Sequence, residues 1–253
     1  MSVNLVNGDT LNSDFTAICN AIRAKTGDAN TISYSPGNTT AITTAIGSIS
    51  GGGNDYPELI DGTAVNVVTQ ATGFKKYLFY GDTTVKTITA TNVVTIGDYA
   101  LRGTSNIESM SLGALSSIGV NGIYGCGKNT SPFDITTNGN CTCGNSAFDS
   151  SQGLRKVLGG VKGVANNTSS IFNSCRYMIE CWWCGTNIGN YVFSNCVALA
   201  DLYLTDTTGV VTLSNVNALN NVPRTCKVHV PSSLLTSYQS ATTWQDFDLV
   251  AIT

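Results

Sequence analysis

Apolar residues return along this chain in a fixed order. In Ile188-Gly189-Asn190-Tyr191-Val192-Phe193-Ser194-Asn195-Cys196, followed by Leu199, Leu202 and Leu204, positions one, six, nine, twelve, fifteen and seventeen are apolar. The same spacing recurs in Ile96-Gly97-Asp98-Tyr99-Ala100-Leu101 with Thr104, Ile107, Met110 and Leu112, and in Phe74 with Phe79, Asp82, Val85, Ile88 and Ala90. Ile118-Gly119 with Ile123 and Cys126 begins another unit, disturbed in its second half around residues 128–134. Cys143-Gly144 with Ala147, Phe148, Ser151, Leu154 and Val157 fits, as does Asn167 with Phe172, Cys175, Met178, Cys181 and Trp183. The units start at 74, 96, 118, 143, 167 and 188, in steps of 22, 22, 25, 24 and 21 residues.

Positions fifteen and seventeen alternate as a short strand does. A unit this short closes no core alone, so neighbours must stack and share one apolar column. The ninth position is Cys three times and otherwise Thr, Ser or Asp, which suits a tight turn that tucks in a small side chain able to bond locally. Cys126, Cys175 and Cys196 are thus expected inside, and Cys181 at an inward strand position. The chain has nine cysteines, an odd number for a complete disulfide framework. Cys181-Trp182-Trp183-Cys184 has redox or zinc spacing, but its neighbours read as a strand, not as the helix N-terminus that lowers a thiol pKa.

The flanks differ. Near the N-terminus, Ser13 or Asn12 can cap a helix with Phe15, Ile18, Cys19 and Ile22 on one face, ended by Gly27. A second amphipathic stretch carries Ile42, Ala45, Ile46 and Ile49 and ends at Gly51-Gly52-Gly53, read as a flexible joint. At the other end, Cys226-Lys227-Val228-His229-Val230 reads as a last strand, then a helix initiated at Pro231 and running through Tyr238, then a strand from 247 to 252. The expected organisation is a helical attachment segment at 1–53, a repeat array at 54–225 and a cap at 226–253, which would cover the open end of the column.

The pattern Ile-Gly-x-x-x-Phe-x-x-Cys-x-x-Leu-x-x-Leu-x-Leu over 188–204 resembles the leucine-rich repeat of BspA-like bacterial surface proteins. The likeness spans roughly residues 74–230, and the tail with Tyr238 and Trp244 is similar to the segment that closes such arrays. It implies a β-rich leucine-rich-repeat solenoid of short parallel strands and turns, with little helix, a small N-terminal helical segment and a C-terminal cap. A second resemblance lies in Ile18-Cys19-Asn20-Ala21-Ile22-Arg23-Ala24-Lys25-Thr26-Gly27, followed by Ile32 and Ser33-Tyr34-Ser35-Pro36-Gly37. This segment resembles one frequent in structural proteins of phages that infect Gram-positive bacteria, and covers some forty residues.

Composition narrows the function. Net charge is −3 with 11% charged residues, and Gly, Ser, Thr and Asn fill 108 positions. Clustered Lys and Arg, which a phosphate-tracking nucleic-acid binder needs, are missing. No apolar run reaches the ~18 residues of a membrane helix, and the first eight residues show neither the basic nor the apolar region of a Sec signal. The one histidine, His229, is expected as an exposed residue of the closing strand. Asp246 and Asp248 lack the company a glycosidase acid pair requires. Gly51-Gly52-Gly53 lacks the Lys-Ser/Thr of a phosphate loop, and no Asp-rich calcium loop is present. The expectation is a non-enzymatic chain with no cofactor and no metal site.

Binding suits the pattern better. Positions fourteen and sixteen face outward: Thr87 and Thr89, Ser109 and Ser111, Lys156 and Leu158, Glu180 and Trp182, Asp201 and Tyr203. The later part of this face places Lys156, Glu180, Trp182, Asp201 and Tyr203 together. Exposed aromatics beside charges suit stacking on a sugar ring or anchoring a protein partner; the alternative has Trp182 packing under a neighbouring subunit or the cap. A slip of one residue would exchange Trp182 with Trp183. With the two resemblances, the expectation is a phage virion protein, assembled in the host cytoplasm and exposed on the particle exterior. Residues 1–53 would contact other virion proteins, copies would associate in the particle, and the solenoid would meet a host-surface glycan or protein. The site could be a tail tip, a fibre or a capsid decoration. The alternatives are a purely architectural virion subunit and a BspA-like bacterial surface adhesin.

Overall fold

Each repeat unit forms one coil of a parallel β-solenoid in the computed structural model, which describes residues 66–252. The chain divides into two units, Met1–Asp61 and Gly62–Thr253. The expected N-terminal helices, the glycine joint and the attachment role of residues 1–53 lie outside the described residues.

One wall of the coils is built from β1 (Asn66–Val68), β3 (Thr87–Ala90), β5 (Ser109–Leu112), β9 (Glu180–Trp183), β11 (Asp201–Leu204), β13 (Lys227–Pro231) and β14 (Asp248–Ile252). A second wall holds β2 (Gly73–Phe74), β4 (Thr95–Ile96), β6 (Leu115–Ile118), β10 (Asn187–Ile188) and β12 (Thr212–Leu213). β7 (Phe133–Cys143) and β8 (Leu154–Gly163) are longer and contribute to both. Their ladders break between Thr136 and Cys141, where Gly139, Gly159 and Gly160 take positive φ that lets the strands bend. Every pairing is parallel, and equivalent repeat positions face one another: Phe74 with Ile96, Ile96 with Ile118, Ile118 with Cys143.

The stretch between the walls turns twice in the left-handed region. Position four (Tyr77, Tyr99, Asn121, Ser146, Ser170, Tyr191) and position eight (Gly81, Gly103, Gly125, Ser150, Ser174, Asn195) all have φ between 52° and 79°. Stacking offsets this unfavourable backbone. The position-six N–H of each coil donates to a carbonyl of the next: Phe79 to Ala100, Leu101 to Gly122, Ile123 to Ala147, Phe148 to Ile171 and Phe172 to Val192, at 2.7–2.8 Å. No coil satisfies these amides by itself, which is why the repeat is stable only as an array.

The apolar column is as the repeat spacing implies. Phe148, Phe172 and Phe193 stack with ring centroids 5.0 and 5.4 Å apart and interplanar angles of 16° and 14°. The ninth-position thiols donate to position-six carbonyls of the preceding coil: Cys126 to Leu101 (2.9 Å), Cys175 to Phe148 (3.0 Å) and Cys196 to Phe172 (3.2 Å). The Ser151 hydroxyl does the same to Ile123. Two details depart from the simple pattern. Asn167 is exposed, and Thr168, inside the coil, fills the first position of its unit. The unit starting at 118 carries extra residues in its turn, after which Phe133 and Ile135 restore the inward positions, Ile135 in register with Val157.

The closing segment continues the ladder. β13 pairs with β11 and β14 with β13, joined by a 3₁₀ turn (Ser232–Leu234) and a short helix α1 (Leu235–Ser240). Buried Tyr238 and Trp244 grip the backbone of one residue: the Val211 N–H donates to the Tyr238 hydroxyl (2.9 Å), and the Trp244 indole N–H donates to the Val211 carbonyl (2.8 Å).

Candidate functional site

In-register parallel strands repeat about every 4.8 Å, close to the centroid separation of offset-stacked aromatic rings. The outward face of the first wall shows the consequence. Trp182 on β9 stacks on Tyr203 on β11 (centroids 4.4 Å, 14°), and Tyr203 stacks on His229 on β13 (4.0 Å, 8°). All five expected residues, Lys156, Glu180, Trp182, Asp201 and Tyr203, lie on this face within three consecutive strands. Trp182 points outward and Trp183 is buried edge-on to Phe193, so the register is the expected one.

A charged row runs beside the rings. Asp134, Lys156, Glu180, Asp201, Lys227 and Asp248 are aligned strand to strand. Lys156 Nζ donates to Glu180 at 2.8 Å, and the Trp182 Nε1–H donates to the other Glu180 oxygen at 3.0 Å. Partial burial acts to raise the Glu180 pKa, but the hydrogen bonds from Lys156 and Trp182 outweigh it, and the carboxyl sits below its ordinary value. Its charge therefore survives to lower pH than that of an unpaired glutamate. The Lys156 ammonium is raised, chiefly by the Glu180 hydrogen bond. His229 Nε2 lies 2.8 Å from Asp201 Oδ1. The earlier coils place Asn66, Thr87 and Ser109 in the charged row and Val68, Thr89 and Ser111 in the ring row. The strip is therefore confined to the later coils.

His229 corrects the expectation of an exposed residue: its side chain is only 14% exposed, held between Tyr203 and Asp201. The signal was legible, because Lys227-Val228-His229-Val230 has the alternation of Asp201-Leu202-Tyr203-Leu204. Asp134 was hidden by the longer turn before it. The mode of recognition also changes. Tyr203 has a ring against each face, so it offers its edge and hydroxyl, not a face on which a sugar could stack. Trp182 also borders a cleft of about 340 Å³ with Thr205, Pro231, Ser233 and Ile252, so the cap adjoins the strip without covering it.

The Cys181 and Cys184 pair is not a redox site in form. Cys181 is fully buried and Cys184 half-buried, and burial raises both thiol pKa values. Among the described residues no group of three or more His, Cys, Asp or Glu could hold a metal ion, and no helix is long and apolar enough to cross a membrane.

No curated protein and no solved structure matches the chain. The family model for the BspA type leucine rich repeat region matches in six copies, over residues 72–196 and 179–244. Those limits enclose the coils, the ring stack and most of the closing segment. The chain belongs to the BspA-type leucine-rich repeat family.

Proposed function

We propose that this chain is a non-enzymatic adhesive protein of a phage particle, held by residues 1–53 and presenting the outer face of its later coils to the host surface. The observation that carries the adhesive reading is the ring stack Trp182–Tyr203–His229 flanked by its charged row. Stacked side chains on paired strands lose little further freedom on binding, so the strip is preorganised. The row holds four carboxylates, Asp134, Glu180, Asp201 and Asp248, against Lys156 and Lys227, so it suits a partner that supplies basic groups. With the faces of Tyr203 occupied, a protein partner on the host surface fits better than a sugar. The virion reading is supported by the resemblance of the N-terminal segment to phage structural proteins. In this reading the protein works on the particle exterior, in several copies, without a cofactor.

Two measurements test it. Mass spectrometry of purified particles should find the full-length chain, and its absence ends the virion reading. A Trp182→Ala/Tyr203→Ala double variant should assemble into particles yet lose most adsorption to host cells. Normal adsorption by that variant rules out the strip as the contact. Loss of assembly when residues 74–253 are deleted would favour a purely architectural subunit.

A further inference from the structure

The left-handed turns build a second aromatic surface, on the first coils and away from the strand face. Positions four and seven of neighbouring coils supply Tyr77 and Tyr99, and Tyr80, Arg102 and Tyr124. Tyr77 and Tyr99 stack at 5.1 Å, while Tyr80 meets Tyr77 edge-on at 5.7 Å and lies tilted by 59° to Tyr99. The Arg102 guanidinium lies over three rings, Tyr124 at 4.9 Å, Tyr99 at 5.6 Å and Tyr80 at 5.8 Å. Among the described residues it has no carboxylate partner. Lys76 adds an ammonium 5.0 Å from the Tyr77 ring, loosely met by Asp98 at 3.9 Å. The patch is thus locally cationic on a chain whose net charge is −3.

We infer that this patch binds an acidic polysaccharide, its sugar ring on Tyr80 and its anionic group on Arg102. Tyr80 is 54% exposed and Tyr77 52%. No ring lies parallel to Tyr80, unlike Tyr203 on the strand face; apart from the Arg102 guanidinium 5.8 Å from its centroid, the exposed ring is available to the C–H side of a sugar. A guanidinium gathered among three rings, with no carboxylate partner among the described residues, keeps N–H donors for a carboxylate or phosphate. The backbone here is spent on coil-to-coil bonds, such as Tyr77 N–H to the Asp98 carbonyl (3.1 Å) and Tyr99 N–H to the Val120 carbonyl (2.9 Å). The turn amides are therefore not free to pair with an extended peptide, and an exposed ring beside a guanidinium favours a glycan over an acidic peptide.

Affinity electrophoresis of the full chain tests this, with polygalacturonate as the carboxylate probe, poly(glycerol phosphate) as the phosphate probe, and dextran and poly-glutamate as controls. Retardation by either anionic polysaccharide, or both, is expected, and which of them binds identifies the acid group. Dextran should not retard the chain. Arg102→Gln should weaken binding about tenfold or more, as loss of charge-assisted hydrogen bonds does, and Tyr80→Ala should weaken it by about tenfold through loss of the ring on which the sugar packs. Arg102→Lys, which keeps the charge and loses the planar fork, should weaken it less. Tyr203→Ala should change nothing, which separates this surface from the strand-face strip. Melting curves of each variant establish that it is folded. Poly-glutamate binding as tight as either polysaccharide overturns the inference, as does no retardation by either probe, or undiminished binding by folded Arg102→Gln.

Discussion

At the scale of single residues, small side chains at the ninth position hold the coils together from inside. Each thiol there donates to a position-six carbonyl one coil back that already accepts the ninth-position N–H of its own coil, so it adds a second bond that ties neighbouring coils. Burial raises these thiols, Cys126 to about 12 and Cys175 and Cys196 well above their ordinary value, and it also raises Cys226, just before β13, to about 12. In a Cys19→Ser background at pH 8, a disulfide reagent should modify half-buried Cys184 first and leave the others until the chain unfolds; rapid labelling of all thiols would contradict their burial. The pH sign follows. A raised folded-state pKa means the unfolded chain loses its protons first, so these thiols contribute full stability below the ordinary thiol value and lose it as pH climbs toward 12.

At the scale of the element, the recurring left-handed turn sets the coil. Gly125 takes φ 64°, and a methyl group added there would meet nothing within 4 Å, so Gly125→Ala isolates the cost of the backbone conformation. It should lower stability by about 1 kcal/mol. Ser174, at φ 58° in the equivalent position, should show the reverse, a gain of up to about 1 kcal/mol as glycine, provided its small side chain contributes little. Urea unfolding of the two variants measures both, and equal shifts of one sign would show that packing, not φ, governs the turn. Gly189→Ala differs in kind, because its new methyl would strike the Thr168 carbonyl. Stacking obeys a simpler rule: coils that repeat in register bring equivalent aromatic residues face to face, in the turns for Phe148–Phe172–Phe193 and on the outer strand face for Trp182–Tyr203–His229.

At the scale of the whole array, an end must be closed. The last coil is held by Tyr238 and Trp244 gripping the backbone N–H and carbonyl of Val211, and both side chains are buried. Tyr238→Phe leaves the Val211 N–H without its acceptor, and should lower stability by about 1–3 kcal/mol. Hydrogen exchange should show the loss first in β13 and β14, the strands nearest the cap. An unchanged unfolding midpoint would mean that water replaces the hydroxyl and that the cap closes the column by apolar burial alone.

The sequence by itself determined the coil. Its spacing named the inward positions, the strand register, the stacked phenylalanines and the five residues of the outer strip, because a solenoid repeats one conformation at each position of the coil and, in its strands, a side chain's direction follows from its parity. Tertiary structure decided what those residues do to one another. Ring stacking took the faces of Tyr203, His229 moved from an exposed position into the stack, and Asp134 joined the charged row after an irregular turn. The tyrosine and arginine cluster on the first coils likewise forms across neighbouring turns, with Tyr77 and Tyr99 at φ values near 60° though neither is glycine. Apolar periodicity carries no signal for these contacts, since they depend on the distance between coils and not on the order of residues within one.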